Sequence, residues 1–118
     1  MAPRPPKKTY TSFAVEQHIA ATRDQTWSSL LAVEHRCTAN DCTVLAQEPP
    51  WRRVLQIACT PLRFYEETST IRDDGDSCHL TISAVIEPPP GGASEALIEQ
   101  LRTQAAQRVA AIETAATR

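Results

Sequence analysis

From Tyr10 to Ile19 polar and apolar positions alternate. Phe13, Val15, Gln17 and Ile19 fall on one face, and Ser12, Ala14, Glu16 and His18 on the other. That period of two predicts a half-buried strand. Thr22-Arg23-Asp24-Gln25 has the form of a capping box and starts a short helix with Trp27, Leu30 and Leu31 on its buried side. Ala32–Asp41 holds neither period and is read as a polar loop or a single turn. A meander follows: strand Cys42–Gln47, turn Glu48-Pro49-Pro50, strand Arg52–Cys59, a break at Thr60-Pro61, strand Leu62–Arg72, a hairpin signal at Asp73-Asp74-Gly75-Asp76, and strand Ser77–Glu87. Over Ala93–Arg118 the period changes. Leu97, Leu101, Ala105, Val109, Ile112 and Ala116 recur at helical spacing, and such a helix runs roughly 30 Å. Gly91-Gly92 admits it, with Ser94 as N-cap and Glu95 in the first turn.

These elements predict an α+β domain: a curved antiparallel sheet of about five strands wrapped around one long C-terminal helix, with a short helix after the first strand. A flat sheet carrying the helix with no cavity fits the same spacings. Turn lengths then assign a concave face. A two-residue turn at Thr60-Pro61 sets Leu55 opposite Glu66 and Ile57 opposite Phe64. A three-residue loop at Asp74–Asp76 sets Thr70 opposite Leu80 and Thr68 opposite Ile82. Opposed residues share a face, so Leu55, Ile57, Phe64, Glu66, Thr68, Thr70, Leu80 and Ile82 are expected on the concave side.

Composition narrows the class. The chain has 118 residues, a formal charge of −2 and 42% apolar residues, which suits one domain over residues 10–118 preceded by a Pro-rich basic arm at 1–9. The near-neutral charge speaks against nucleic acid or an anionic membrane as partner. No membrane-length apolar run or signal segment is present, so a cytoplasmic protein with reduced thiols is expected. Cys37, Cys42, Cys59 and Cys78 form no C-x-x-C pair, and His35 with Cys37 and Cys42 lacks zinc-site spacing. No metal and no cofactor is expected, and no phosphate loop or catalytic triad order is present.

Three stretches carry a resemblance. Ile19-Ala20-Ala21-Thr22-Arg23-Asp24-Gln25-Thr26-Trp27-Ser28-Ser29-Leu30 is similar to an opening signature I-x-A-P-x-x-x-V-W-x-x-L, with Thr22 in the proline position and Thr26 in the valine position. Glu48-Pro49-Pro50-Trp51-Arg52 resembles a Pro-containing turn before a strand. Asp74-Gly75-Asp76-Ser77-Cys78-His79-Leu80-Thr81 resembles a G-x-G-T-x-L/V-T turn. In this order, from Tyr10 to the end, they resemble the START-like or SRPBCC superfamily, which includes polyketide cyclases and the birch-pollen-allergen group. The resemblance implies an abbreviated helix-grip fold. A second helix and two further strands usually stand where only Ala32–Asp41 is available here, and the missing strands form part of the usual cavity wall.

The resemblance also implies a binding module for a small apolar, lipid- or polyketide-like molecule. The alternatives are a polyketide cyclase or dehydratase, and a non-catalytic interaction protein that has lost the cavity. No catalytic residue carries over from the superfamily. From the residues alone, Glu66 and Arg53 are the catalytic candidates, since an apolar wall favours the neutral carboxyl; simple pairing of the two is the competing reading. The expected ligand-binding residues are Phe13, Val15, Gln17, Trp27, Leu55, Ile57, Phe64, Thr68, Leu80, Ile82, Leu97 and Leu101. His18 and His79 are expected on the surface. Strand Cys42–Gln47 is expected at a sheet edge, beside a convex face bearing Val44, Ala46, Val54, Ala58, Tyr65 and Ile71. Together these predict a homodimer.

Overall fold

A computed structural model describes residues 10–37, 42–58, 62–89, 91 and 95–118. The arm expected at 1–9, the Thr60-Pro61 turn, Cys59 and the Ser94 cap lie outside these residues. The elements run β1 (Thr11–Ile19), α1 (Arg23–Cys37), β2 (Cys42–Glu48), β3 (Arg52–Ile57), β4 (Phe64–Asp74), β5 (Ser77–Glu87) and α2 (Glu95–Ala116). The five strands form one antiparallel sheet in the order β1-β5-β4-β3-β2, and α2 packs against α1 and β1.

The local reasons for these elements are visible. Thr22 and Gln25 exchange two bonds: the Thr22 N–H donates to Oε1 of Gln25 at 3.0 Å, and the Gln25 N–H donates to the Thr22 hydroxyl at 3.2 Å. Both satisfy donors that the first helical turn leaves orphaned. Past this cap α1 continues through Ala32–Cys37, a stretch read from sequence as a loop. Its buried residues Thr26, Trp27, Leu30, Val33 and Glu34 follow helical spacing to the end. On α2 the buried residues are Leu101, Ala105, Val109, Ile112 and Ala116, the stripe that the periodicity predicts. They close over Phe13, Ile19, Cys78, Leu80, Ile82, Ala84 and Ile86, and with Trp27, Leu30 and Val33 of α1 they make one core.

The register departs from expectation along β4 and at one residue of β2. β5 pairs with β4 as Ile71–Leu80, Ser69–Ile82, Glu67–Ala84 and Tyr65–Ile86. β3 pairs with it as Leu55–Glu67 and Arg53–Ser69. The hairpin is a two-residue turn in which Asp74 opposes Ser77. Gly75 has φ of +81° while Asp76 does not enter the positive region, as in a type II′ turn. Both registers of β4 therefore differ by one residue from the predicted ones. The two shifts cancel on β3 and β5 and invert β4 between them. Tyr65, Glu67, Ser69 and Ile71 face the core and are buried, whereas Phe64, Glu66, Thr68 and Thr70 face the convex side. The strand's own pattern hardly decides this, because each face offers one aromatic residue, one glutamate and at least one hydroxyl residue, and they differ chiefly in Ile71 against Thr70. A bulge between Val44 and Ala46 also puts Val44 opposite Leu55, on the concave side, and leaves Ala46 opposite Val54.

Candidate functional site

Four elements bring charged side chains together under the helices. Arg53 comes from β3, and its neighbour in the register, Ser69, comes from β4. Glu67 and Tyr65 lie further along the same face of β4, with side chains two residues apart pointing alike. Glu34 comes from α1, four residues after Leu30 and on the same buried stripe. Arg108 comes from α2, three residues after Ala105 and four before Ile112, so it flanks the apolar seam.

These groups form two linked ion pairs. Arg53 donates from Nη1 to Oε2 of Glu34, and the Ser69 hydroxyl donates to its Oε1 at 3.4 Å. Arg108 donates from Nη2 to Oε2 of Glu67 at 2.5 Å, and the Tyr65 hydroxyl donates to that same oxygen at 2.6 Å. Glu34 and Glu67 have side chains 0% and 2% exposed. Removing a carboxylate from water disfavours its charged form. Burial accordingly raises the Glu34 carboxyl above the ordinary carboxylate value, against the opposing pull of Arg53 and Arg108; Glu67 adds to the rise and Ser69 resists it. Burial works against the Arg108 charge as well. The Glu67 hydrogen bond and the charges of Glu67 and Glu34 outweigh it, and Arg108 is raised, so it stays cationic.

One part of this arrangement is incomplete. Oε1 of Glu67 and Nη1 of Arg108 are both buried, and neither has a hydrogen-bond partner among the described residues. Each unmade bond of this kind costs about 1–3 kcal/mol. The two atoms belong to groups already bonded to each other through Nη2 and Oε2, so the pair keeps one acceptor and one donor unused.

No protein-family model matches this sequence, and no curated protein matches it. Solved structures do match in three dimensions. Ara h 8.0201 superposes with a TM-score of 0.76 at 7% identity, over 92% of this chain and 99% of that one. CalU16 from Micromonospora echinospora gives 0.71 at 14%, over 89% and 75%. A Thalictrum norcoclaurine synthase point mutant, in complex with a transition-state analogue, gives 0.68 at 11%, over 96% and 98%.

The chain has the helix-grip fold.

In helix-grip terms, the buried network sits between the gripping sheet and the gripped helix. Of the residues expected at the site, Phe13, Leu80, Ile82 and Leu101 are buried in this core, with Val15, Ile57 and Leu97 packed partly against it. Trp27 is also a core residue, and Leu55 is buried opposite Glu67. Gln17 shares the concave face but donates to Oε2 of Glu113 at 3.1 Å, tying β1 to the end of α2. Arg53 is where it was expected. Its partner is Glu34 of α1, while Glu66 lies on the convex face opposite Gln56 and Val85. Phe64 and Thr68 share that convex face, so the expected concave positions of these three residues do not hold. The network residues Glu34, Glu67 and Arg108 have no catalytic motif around them. Glu34 alone carried a signal, its helical spacing from Trp27 and Leu30, visible once α1 is extended. No helix among the described residues is long and apolar enough to cross a membrane.

Proposed function

We propose that this protein is a binding module for a small molecule with an apolar body and a hydroxyl group, held between the concave sheet face and α2. The observation that carries the reading is the open pair at Glu67 Oε1 and Arg108 Nη1. A hydroxyl is both a donor and an acceptor, so one hydroxyl donates to the carboxylate oxygen and accepts from the guanidinium. Ala84 lies directly opposite Glu67, and the same face carries the buried apolar residues Ile82 and Ile86, surroundings that suit an apolar body. Neither open atom touches solvent, so the ligand enters when α2 lifts from the sheet. The norcoclaurine synthase complex, with its bound transition-state analogue, supports small-molecule binding as a use of this fold, by analogy of architecture.

A cyclase- or dehydratase-type reading draws on a different observation. If bonds are made at this site, Glu34 is the carboxyl equipped to hold a proton, because burial raises it. Glu66 faces away.

Native mass spectrometry of protein purified from its own host tests the binding reading. The wild type should carry a non-protein mass that is absent from the double variant Glu67→Leu/Arg108→Met, in which the pair is replaced by apolar groups. A wild type of bare protein mass, or equal occupancy in the double variant, would overturn it.

A further inference from the structure

On the opposite, convex face, three adjacent strands bring a second set of side chains together at one end of the sheet. His18 on β1 lies directly opposite His79 on β5. Asp74 closes β4, opposite Ser77 at the turn and two residues along the same face from His79 on the paired strand. One donor atom from each of His18, Asp74 and His79 lies within 4.8 Å of the other two. The two imidazoles stand edge to face with centroids 5.0 Å apart.

We propose that His18, Asp74 and His79 form a binding site for one divalent transition metal of the zinc(II) class. Two imidazoles and a carboxylate are the donors such ions take, and three protein ligands leave coordination positions open. Metal–ligand bonds of about 2.0–2.1 Å place tetrahedral donors roughly 3.3 Å apart. Small side-chain rotations from the present spacing reach that geometry. Strand pairing holds the two histidines in register, with opposed Cβ atoms about 4.5–5.5 Å apart. The third ligand is set by the Gly75 turn, where the Gly75 N–H donates to Oδ1 of Asp73 at 3.1 Å. Among the described residues, none of the three side chains is engaged in an ion pair or a side-chain hydrogen bond, so their donor atoms are available to an ion.

The local charge permits a cation. Asp73 is taken up by Arg23 at 4.0 Å. Arg72, opposite His79, is exposed and can extend its guanidinium into water. Of the three ligands His79 lines a pocket of about 580 Å³, together with Glu16, Arg23 and Arg72, so the His79 side of the site borders accessible space. The competing reading is two surface imidazoles in edge-to-face contact beside a solvated aspartate.

Titration of chelator-treated full-length protein with Co²⁺ and then Zn²⁺ separates the two. The expected result is one equivalent bound through nitrogen and oxygen ligands, with zinc raising the thermal midpoint of the wild type. His18→Ala and His79→Ala should each weaken binding by more than the ~10–100-fold typical of outer-shell changes, and Asp74→Asn should weaken it as well. His35→Ala, on exposed α1 surface, should bind like the wild type. All these variants sit at exposed or half-exposed positions, and circular dichroism checks that they fold. Binding kept within about twofold of wild type in both histidine variants, loss of binding in His35→Ala, thiolate-to-cobalt bands that place the ion on cysteine, or no saturable equivalent would each overturn the proposal.

Discussion

Arg108→Met cuts one side of the buried pair while keeping most of the arginine's length. In the wild type Glu67 is 2% exposed and has two partners, Arg108 and the Tyr65 hydroxyl. The variant leaves a carboxylate under α2 with only a neutral phenol to compensate it. Breaking a buried ion pair from one side costs about 3–5 kcal/mol, a large share of the ~5–15 kcal/mol that holds a domain folded. Truncating an exposed arginine would cost less than about 0.5 kcal/mol. Equilibrium urea unfolding near neutral pH measures the difference through the midpoint, provided the slope is unchanged. Adding Glu67→Leu removes the stranded charge together with its open acceptor. The double variant should regain the loss and match or exceed the wild type, as replacing whole buried pairs by apolar groups commonly does. A single-variant loss under ~1 kcal/mol, or a double variant no better than the single, would show that α2 does not seat Arg108 against the sheet.

The lid itself is tested by Leu101→Ala, expected to cost about 2–5 kcal/mol as a buried truncation, against less than about 0.5 kcal/mol for exposed Gln104→Ala. Arg102 is a poorer control than its exposure suggests, because its guanidinium lies over the Phe13 ring, 5.9 Å from the centroid. The raised Glu34 carboxyl gives a pH signature: as pH rises past the ordinary carboxylate range the unfolded chain ionises first, so Glu34's contribution to stability falls until pH passes its folded value. Glu34→Gln should flatten that segment of the stability–pH curve, and an unchanged slope would remove Glu34 as its cause. A homodimer is expected because β2 is an edge strand with Val44 and Leu45 47% and 49% exposed. The Val44–Ala46 bulge disfavours simple strand addition, so these side chains are the expected contact. Light scattering at micromolar concentration should give the dimer mass for the wild type and the monomer mass for Val44→Lys; a wild-type monomer refutes it.

Element types were legible in the sequence because they depend on local periods. The alternation through Phe13, Val15, Gln17 and Ile19 made β1, the Thr22–Gln25 box started α1, and the Leu101–Ala116 stripe made α2 and picked its buried face. What the sequence left open was every choice in which two local patterns weighed the same. Tyr65, Glu67, Ser69 and Ile71 are hardly more apolar than Phe64, Glu66, Thr68 and Thr70, so β4 takes its face from its neighbours. The pairings with β3 and β5, fixed by a two-residue Gly75-Asp76 turn and by packing, decide it. Predicted registers each one residue off agreed with one another because both errors fell on that strand. Glu34 sat in a stretch where polar residues masked the helical period. Its role depends on Arg53, 19 residues later. Glu67 and Arg108 are 41 residues apart, and His18 faces His79 only because β1 lies beside β5. Charge partners and donor clusters of this kind are long-range contacts. A pattern of near neighbours cannot encode them, and only the packed sheet and its helices bring them within bonding distance.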